Sequence, residues 1–373
     1  MNLETQFSSR HKRCCIDYAD HQKATGVTSM RNKTGVRHYF AEGITTRGYI
    51  SLLPNMMPSW QRAYILLGGP GTGKSTLIKV IGLELLDRGY DIDFLRSARD
   101  PDSMAGFIIP RKGLAMLDAM EVSPLRWRAP GVVENFIDFN GFCNELNLEK
   151  QRATILSLEN QLQELQMILE EELAAELGVL IGNRPGKLPL EREDLSWILG
   201  NSAHLKVKKE YTGPWPLAEN ALRLLQKSVV NPYFLHGLTA EGWLNLAPYF
   251  LADFDQIRLE GEETLDALDW VLREAQQLGQ RIDIVLHPLN PDEVIGIVFP
   301  ERHLAIWQGN PENLKDQGLD RPFSKKLVET LASWQTHRAK LKGYYMETVN
   351  FDQLDSYRET ILNQILSNLQ KKS

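Results

Sequence analysis

At 373 residues, 43% of them hydrophobic, the chain is long enough for two domains with cores of their own and too apolar to be disordered throughout. A net charge of −6 argues against a general nucleic-acid binder, and the absence of an apolar run of about 18 residues argues against a membrane-spanning helix. Three cysteines, Cys14, Cys15 and Cys143, suit neither a disulfide framework nor a zinc site and point to free thiols in a reducing compartment, so a cytoplasmic location is expected.

Residues 1–36 are polar and without periodicity. Their basic cluster, Arg10 to Arg13, is not followed by the apolar core of a signal peptide. A disordered extension is expected, or a start codon placed too early, since Met30 stands just before the first patterned segment.

Residues 37–132 read as an α/β domain. The apolar run Tyr64, Ile65, Leu66, Leu67 predicts a buried strand, and Leu77, Ile78, Val80, Ile81 and Leu85 predict the helix that follows. Between them stand Gly68, Gly69, Pro70, Gly71, Thr72, Gly73, Lys74, Ser75 and Thr76, a Walker A phosphate-binding loop in the strand–loop–helix context that the motif requires. Glycines let the backbone curl so that successive N–H groups converge on a triphosphate, and the helix start adds its positive end. Lys74 is expected to reach the β- and γ-phosphates and Ser75 to hold Mg²⁺. Gly89 falls where a helix C-terminus takes a left-handed residue. A second strand, a short helical turn capped by Asp102 and two further strands follow, the last closing on Asp118 in the Walker B manner, with its carboxylate acting on Mg²⁺.

Residues 133–228 read as a helical segment. Ile155, Leu158, Leu162, Leu165 and Leu169 step by three and four, a coiled-coil seam about two heptads long. It is expected to fold back on a neighbour such as residues 188–199 or 217–229; docking of a protein partner is the other option.

Residues 229–322 repeat the first domain. Residues 39–50 match residues 233–244, and residues 89–110 run without a gap against residues 279–300. Two tandem domains of mainly parallel sheet flanked by helices are expected. The second copy has lost the phosphate chemistry. With Leu67 aligned to Leu259, residues 260–266 carry four acids in place of the glycines and Lys74, and Gln308 stands for Asp118. Residues shared by both copies, such as Asp93 and Asp283 or Pro110 and Pro300, are assigned to the fold. Residues of copy one alone, Arg96, Ser97, Arg99, Asp100 and Arg111, are the further chemical candidates, because ligands of open α/β sheets gather beyond the carboxyl ends of strands. Arg281 and Arg302 are the copy-two arginines that could act on the site of copy one. Residues 323–373 predict two amphipathic helices with Phe323, Leu327, Leu331 and Trp334, then Leu354, Ile361, Ile365 and Leu369, facing a core.

The Walker A loop, the opening segment at residues 38–49, the stretch of residues 100–110 and a related second half together resemble a bacterial family of duplicated P-loop ATPases, largely uncharacterised. The likeness spans residues 37 to about 320. It implies a pair of P-loop folds and ATP or GTP binding at residues 68–76. Because copy two keeps its core pattern at Ile282, Ile284, Val298, Phe299 and Leu304, it is expected to dock on copy one as an intramolecular pseudo-dimer. The second half of that family often keeps a usable loop, from which residues 260–266 depart. The expected activity is Mg²⁺-dependent ATP hydrolysis at one site. No base-reading NKxD element for guanine is apparent. The alternatives are a small-molecule or nucleotide kinase, with Asp100 as base and Arg96 or Arg99 on the acceptor's anion, and a nucleotide-sensing scaffold.

Overall fold

The computed structural model describes residues 35–45, 48–100, 103–121, 127–178, 230–239, 242–259, 264–277, 281–315, 317–320 and 322–370, and residues 36–373 form one unit. The N-terminal extension with Cys14 and Cys15, Asp102, Gly279 and the proposed helices at 188–199 and 217–229 lie outside the described residues.

Copy one builds a six-stranded sheet in the order β1-β5-β6-β7-β4-β8, from β1 (Val36–Phe40), β4 (Arg62–Leu67), β5 (Ile92–Arg96), β6 (Met104–Ile109), β7 (Leu114–Asp118) and β8 (Glu134–Asp138). A hairpin of β2 (Glu42–Thr45) and β3 (Gly48–Ser51) follows β1, and one turn, α1 (Leu53–Met56), precedes β4. Helix α2 (Lys74–Asp87) covers the sheet with Leu77, Ile78, Ile81 and Leu85 buried. It ends as expected: Gly89 has φ +94°, its N–H meets Leu86 O at 2.9 Å and the Tyr90 N–H meets Leu85 O at 3.1 Å, a Schellman motif.

Copy two repeats this plan in the order β12-β15-β14-β13-β9, from β9 (Val230–Tyr233), β12 (Asp255–Leu259), β13 (Ile282–Leu286), β14 (Val294–Phe299) and β15 (Leu304–Gln308). Its hairpin is β10 (His236–Thr239) with β11 (Gly242–Asn245), its single turn α4 (Ala247–Phe250) and its covering helix α5 (Thr264–Gln277). Strand order and strand directions match copy one throughout.

The sheets are mainly parallel, as expected, but mixed, with one reversed strand in each. β6 and β14 run antiparallel to both neighbours. The turns Pro110–Lys112 and Pro300–Arg302 are three residues long, far too short for the crossover that parallel neighbours need. Asp292 lies in a turn with no helix to cap. A further correction concerns residues 134–138, placed by sequence in the helical segment: as β8 they pair parallel with β4 and extend the sheet of copy one.

The motif shared by residues 39–50 and 233–244 forms the joint between the copies. Phe40 and Phe234 exchange two backbone hydrogen bonds of 2.9 Å, and the rings of Tyr39 and Tyr233 stack with centroids 4.5 Å apart. Each phenylalanine ring lies against a hairpin glycine of the other copy, Phe234 on Gly43, where a Cβ would fit tightly, and Phe40 on Gly237, where it would collide. Around this joint one core takes Leu53, Met56 and Trp60 from copy one with Tyr233, Ala247 and Phe250 from copy two.

Helix α3 (Glu145–Gly178) follows β8, and α6 (Lys325–Met346) and α7 (Phe351–Gln370) end the chain. The predicted seam of α3 packs on α6: Ile155, Leu158, Leu162, Leu169 and Leu173 are buried with Leu327, Leu331, Trp334 and Leu341. The described partner of the seam is therefore a helix more than 150 residues away in sequence, in place of the local segments expected. Leu354, Ile361, Ile365 and Leu369 of α7 are buried as their spacing predicts.

His38 stacks on Phe94 at 5.2 Å, and burial, reinforced by Arg96 and Lys79, lowers its pKa from 6.5 to about 3. Burial, with His287 nearby, lowers that of His236 to about 4. Both histidines are folded in the neutral form, and the unfolded chain takes up protons first. Their contribution is complete above about pH 6.5 and is lost as pH falls below it toward the folded values. His38→Gln is expected to flatten the fall in unfolding free energy between about pH 6.5 and pH 5 by up to about 1.4 kcal/mol per pH unit. Urea titrations across that range check this, and an unaltered slope would refute it.

Candidate functional site

The loop at residues 68–76 sits between the end of β4 and the start of α2. Gly68, Gly71 and Gly73 have φ of +134°, +84° and +93°, conformations that side-chain-bearing residues rarely adopt, and α2 begins at Lys74 directly after Gly73. The Lys74 ammonium donates to the carbonyls of Gly68 and Gly69, each at 2.6 Å, and lies 3.3 Å from Thr72 Oγ1 and 3.6 Å from Asp118 Oδ1. Asp118 also accepts from the Met120 N–H at 2.9 Å. Pairing of Leu66 with Asp118 in the β4–β7 register brings the carboxylate to the loop. The lysine and the aspartate are 3% and 5% exposed; burial pushes the Lys74 pKa down and the Asp118 pKa up, each restrained by the other's charge.

Ser75 Oγ accepts from the Met104 N–H and contacts Ser103 Oγ, both at 2.8 Å. Ser97 Oγ accepts from the N–H groups of Arg99 and Asp100 at 3.2 and 3.0 Å and donates to Glu121, so it shapes the loop leaving β5. The predicted candidates thus divide. Ser97, Arg99 and Asp100 gather near the phosphate loop at the carboxyl edge of the sheet. Arg96 is buried beside Met104, and Arg111 pairs with Asp91 at 3.5 Å in the turn at the opposite edge. Arg281 precedes β13 and Arg302 lies in the β14–β15 turn, at the edge of the second sheet where its parallel strands begin; Arg281 acts electrostatically on the buried Asp283.

Register corrects the alignment of the second loop. Leu259 faces Gln308 as Leu66 faces Asp118, so Leu259 is the counterpart of Leu66 and not of Leu67. Residues 260–263 join β12 to α5 where residues 68–73 join β4 to α2, four residues against six, and Thr264 takes the place of Lys74 at the start of the helix. By sequence the second connection is the shorter one, and it carries a single glycine and no lysine.

Three residues of the site escaped sequence reasoning. Asp138 closes β8 beside Leu67, across β4 from Asp118. An apolar strand ending in an acid was the same signal that marked Asp118. Arg338 and Lys342 of α6 pair with Glu121 and Asp100 respectively, and nothing local announces them. Both C-terminal helices dock on the loop glycines: from α6 the Tyr345 ring lies over Gly69 and the Lys342 carbonyl over Gly71, and from α7 Leu354 lies over Gly73.

No protein-family model, curated protein or solved structure matches the chain. No helix among the described residues is long and apolar enough to cross a membrane.

Arg338→Ala would leave the Glu121 carboxylate, 5% exposed, with Ser97 as its remaining side-chain partner. A stability loss of about 3 kcal/mol is expected, part of it regained when Glu121→Gln is added, because the cost lies in an uncompensated buried charge. Urea unfolding of the single and double variants checks this; equal losses would refute it.

Proposed function

We propose that the chain binds a nucleoside triphosphate with Mg²⁺ at residues 68–76 and hydrolyses it, with ATP as the nucleotide, through one P-loop site; the second P-loop-like copy is a non-binding partner domain, the two forming an intramolecular pseudo-dimer. The observation that carries this reading is the Lys74 ammonium held on the carbonyls of Gly68 and Gly69, 3.6 Å from Asp118, at the start of a 14-residue helix. A cation so placed, beside N–H groups at a helix N-terminus, favours a polyphosphate over any neutral ligand. Arrival of phosphate charge would exchange the two carbonyl contacts of Lys74 for charge-assisted bonds to β- and γ-oxygens.

Ser75 and Asp118 supply a hydroxyl and a carboxylate, the hard oxygen donors suited to Mg²⁺, which usually keeps several waters and binds through few protein groups plus phosphates. When bound, the ion would neutralise charge on the β- and γ-oxygens. Asp138 is a second carboxylate at the same edge, available to orient a water. Phosphoryl transfer to a small acceptor is a second reading, supported by Arg99 and Asp100 standing beside the phosphate loop; ATP consumption without any acceptor separates the two.

Lys74→Ala is expected to abolish tight Mg-ATP binding, and Asp266→Ala in copy two to leave it within about threefold, a difference under roughly 0.7 kcal/mol. Isothermal titration calorimetry of both variants checks this, and equal losses would overturn the one-site reading. Asp118→Asn is expected to raise the Mg²⁺ concentration needed for turnover at least about tenfold while leaving metal-free nucleotide affinity within about threefold. A fall in melting temperature with an unchanged Mg²⁺ titration would assign Asp118 a purely structural role.

A further inference from the structure

A cavity of about 470 Å³ opens beside the loop at residues 68–76, between the two copies and helix α6. Arg99 and Asp100 line it from the β5–β6 loop, Trp243 and Leu244 from β11, and Arg338 and Lys342 from α6. Its volume is that of a small-molecule site. Three cations face one carboxylate, and that carboxylate is already paired with Lys342. The Arg338 guanidinium donates to Glu121, and Arg99 donates one N–H to Met120 O at 2.8 Å while lying over the Tyr49 ring at 4.5 Å. The Nε–H groups of both arginines are buried without an acceptor; among the described residues Arg99 makes no ion pair with a carboxylate, though Glu159 acts on it electrostatically. Among the groups that line the cavity itself, three cations stand against the single Asp100 carboxylate, with Glu121 and Glu159 acting from outside the lining. From copy two come Trp243, which rests on Phe323 at 5.5 Å, and Leu244, apolar side chains of the lining, with Thr239 beside them.

We propose that this cavity binds a small organic anion, its phosphate or carboxylate against Arg99, Arg338 and Lys342 and its planar or apolar body on Trp243 and Leu244. Arginine and lysine grouped on one side match an oxyanion's several acceptors, and a tryptophan face opposite selects a planar body. The site is distinct from the phosphate loop, none of whose residues line it, and it stands whatever nucleotide that loop takes. It also needs both copies, since the cationic wall comes from copy one and α6 and the apolar wall from copy two.

The test uses the full chain carrying Lys74→Ala, which removes the lysine of the phosphate loop, with phenyl phosphate and benzoate as probes and phenol as the uncharged analogue. Calorimetry and tryptophan fluorescence are read together, with melting temperatures recorded for every variant. At least one of the two acids is expected to bind at least about tenfold more tightly than phenol, and which one binds identifies the head group. Arg99→Gln is expected to weaken that acid about fivefold or more, and Lys342→Gln carries the same comparison should Arg99→Gln fail to fold. Trp243→Phe is expected to abolish most of the fluorescence change while calorimetric binding persists. The proposal is overturned if neither acid binds the Lys74→Ala chain more tightly than phenol, or if a folded Arg99→Gln or Lys342→Gln chain binds the acid as well as its parent.

Discussion

The guanidinium of Arg37 holds the two halves of the chain to one another. It bonds Asp93 of copy one at 2.7 and 2.5 Å and reaches Asp283, the equivalent aspartate of copy two, at 3.1 Å. The carboxylates are 4% and 1% exposed, so each would be costly to bury without the shared cation. Burial does push the Asp283 carboxyl pKa upward, with Arg37 opposing it. In copy two the position of Arg37 is Asn231, which donates to Asp283 at 3.1 Å and brings no charge. The two positions thus differ in charge: Arg281 also acts on Asp283, and an arginine at both positions would add a further guanidinium to the same buried joint, where like charges repel strongly. Bonded to one aspartate from each sheet, Arg37 ties β5 to β13 in addition to the backbone exchange between Phe40 and Phe234.

From this joint follow the placements that matter to the site. The hairpin β10–β11 is brought beside the β5–β6 loop because Phe40 and Phe234 interlock across the joint, and the cavity wall formed by Trp243 and Leu244 depends on that. Helix α6 is positioned from two sides, by the leucine seam of α3 along its length and by its ion pairs with Glu121 and Asp100 at the site. Apolar packing supplies most of the stabilisation and has little directionality, whereas the charged pairs fix which face of α6 meets the loop. Helix and loop are consequently linked: displacement of Lys342 carries its carbonyl away from Gly71 and its ammonium away from Asp100.

What was legible in the sequence was what local physics determines. The loop glycines, the start of α2 at Lys74 and the left-handed Gly89 each depend on a few adjacent residues, and each lies where its motif put it. The duplication was legible because the repeated residues 39–50 form the joint, where both copies obey the same steric demand. Less legible was whatever depends on partners distant in the chain. Strand direction around β6 follows from a three-residue turn that read equally well as a pause between parallel strands. Residues 134–138 looked like the lead-in to a helix, and only pairing with β4 makes them a strand. The seam of α3 showed a face that needed covering without showing which helix covers it; Leu327, Leu331 and Trp334 are one such face among several. Arg338 and Lys342 carried no local mark at all, since an exposed cationic helix face and a cationic face turned to a site have the same composition.

The second copy separates what the fold needs from what phosphate chemistry needs. It keeps the strand order, the strand directions, the hairpin and a covering helix of the same 14 residues, while its β12–α5 connection is two residues shorter and its Lys74 and Asp118 equivalents are Thr264 and Gln308. A connection of four residues still joins a strand to a helix packed on its sheet, well within ordinary loop lengths, so the shortening has no topological consequence. A six-residue glycine-rich loop adds, beyond connection, backbone enough to turn several N–H groups toward one point. The long loop of copy one, with three residues at positive φ, is therefore unnecessary for the fold; binding of a polyphosphate, as proposed, would account for its presence beside a lysine 3% exposed.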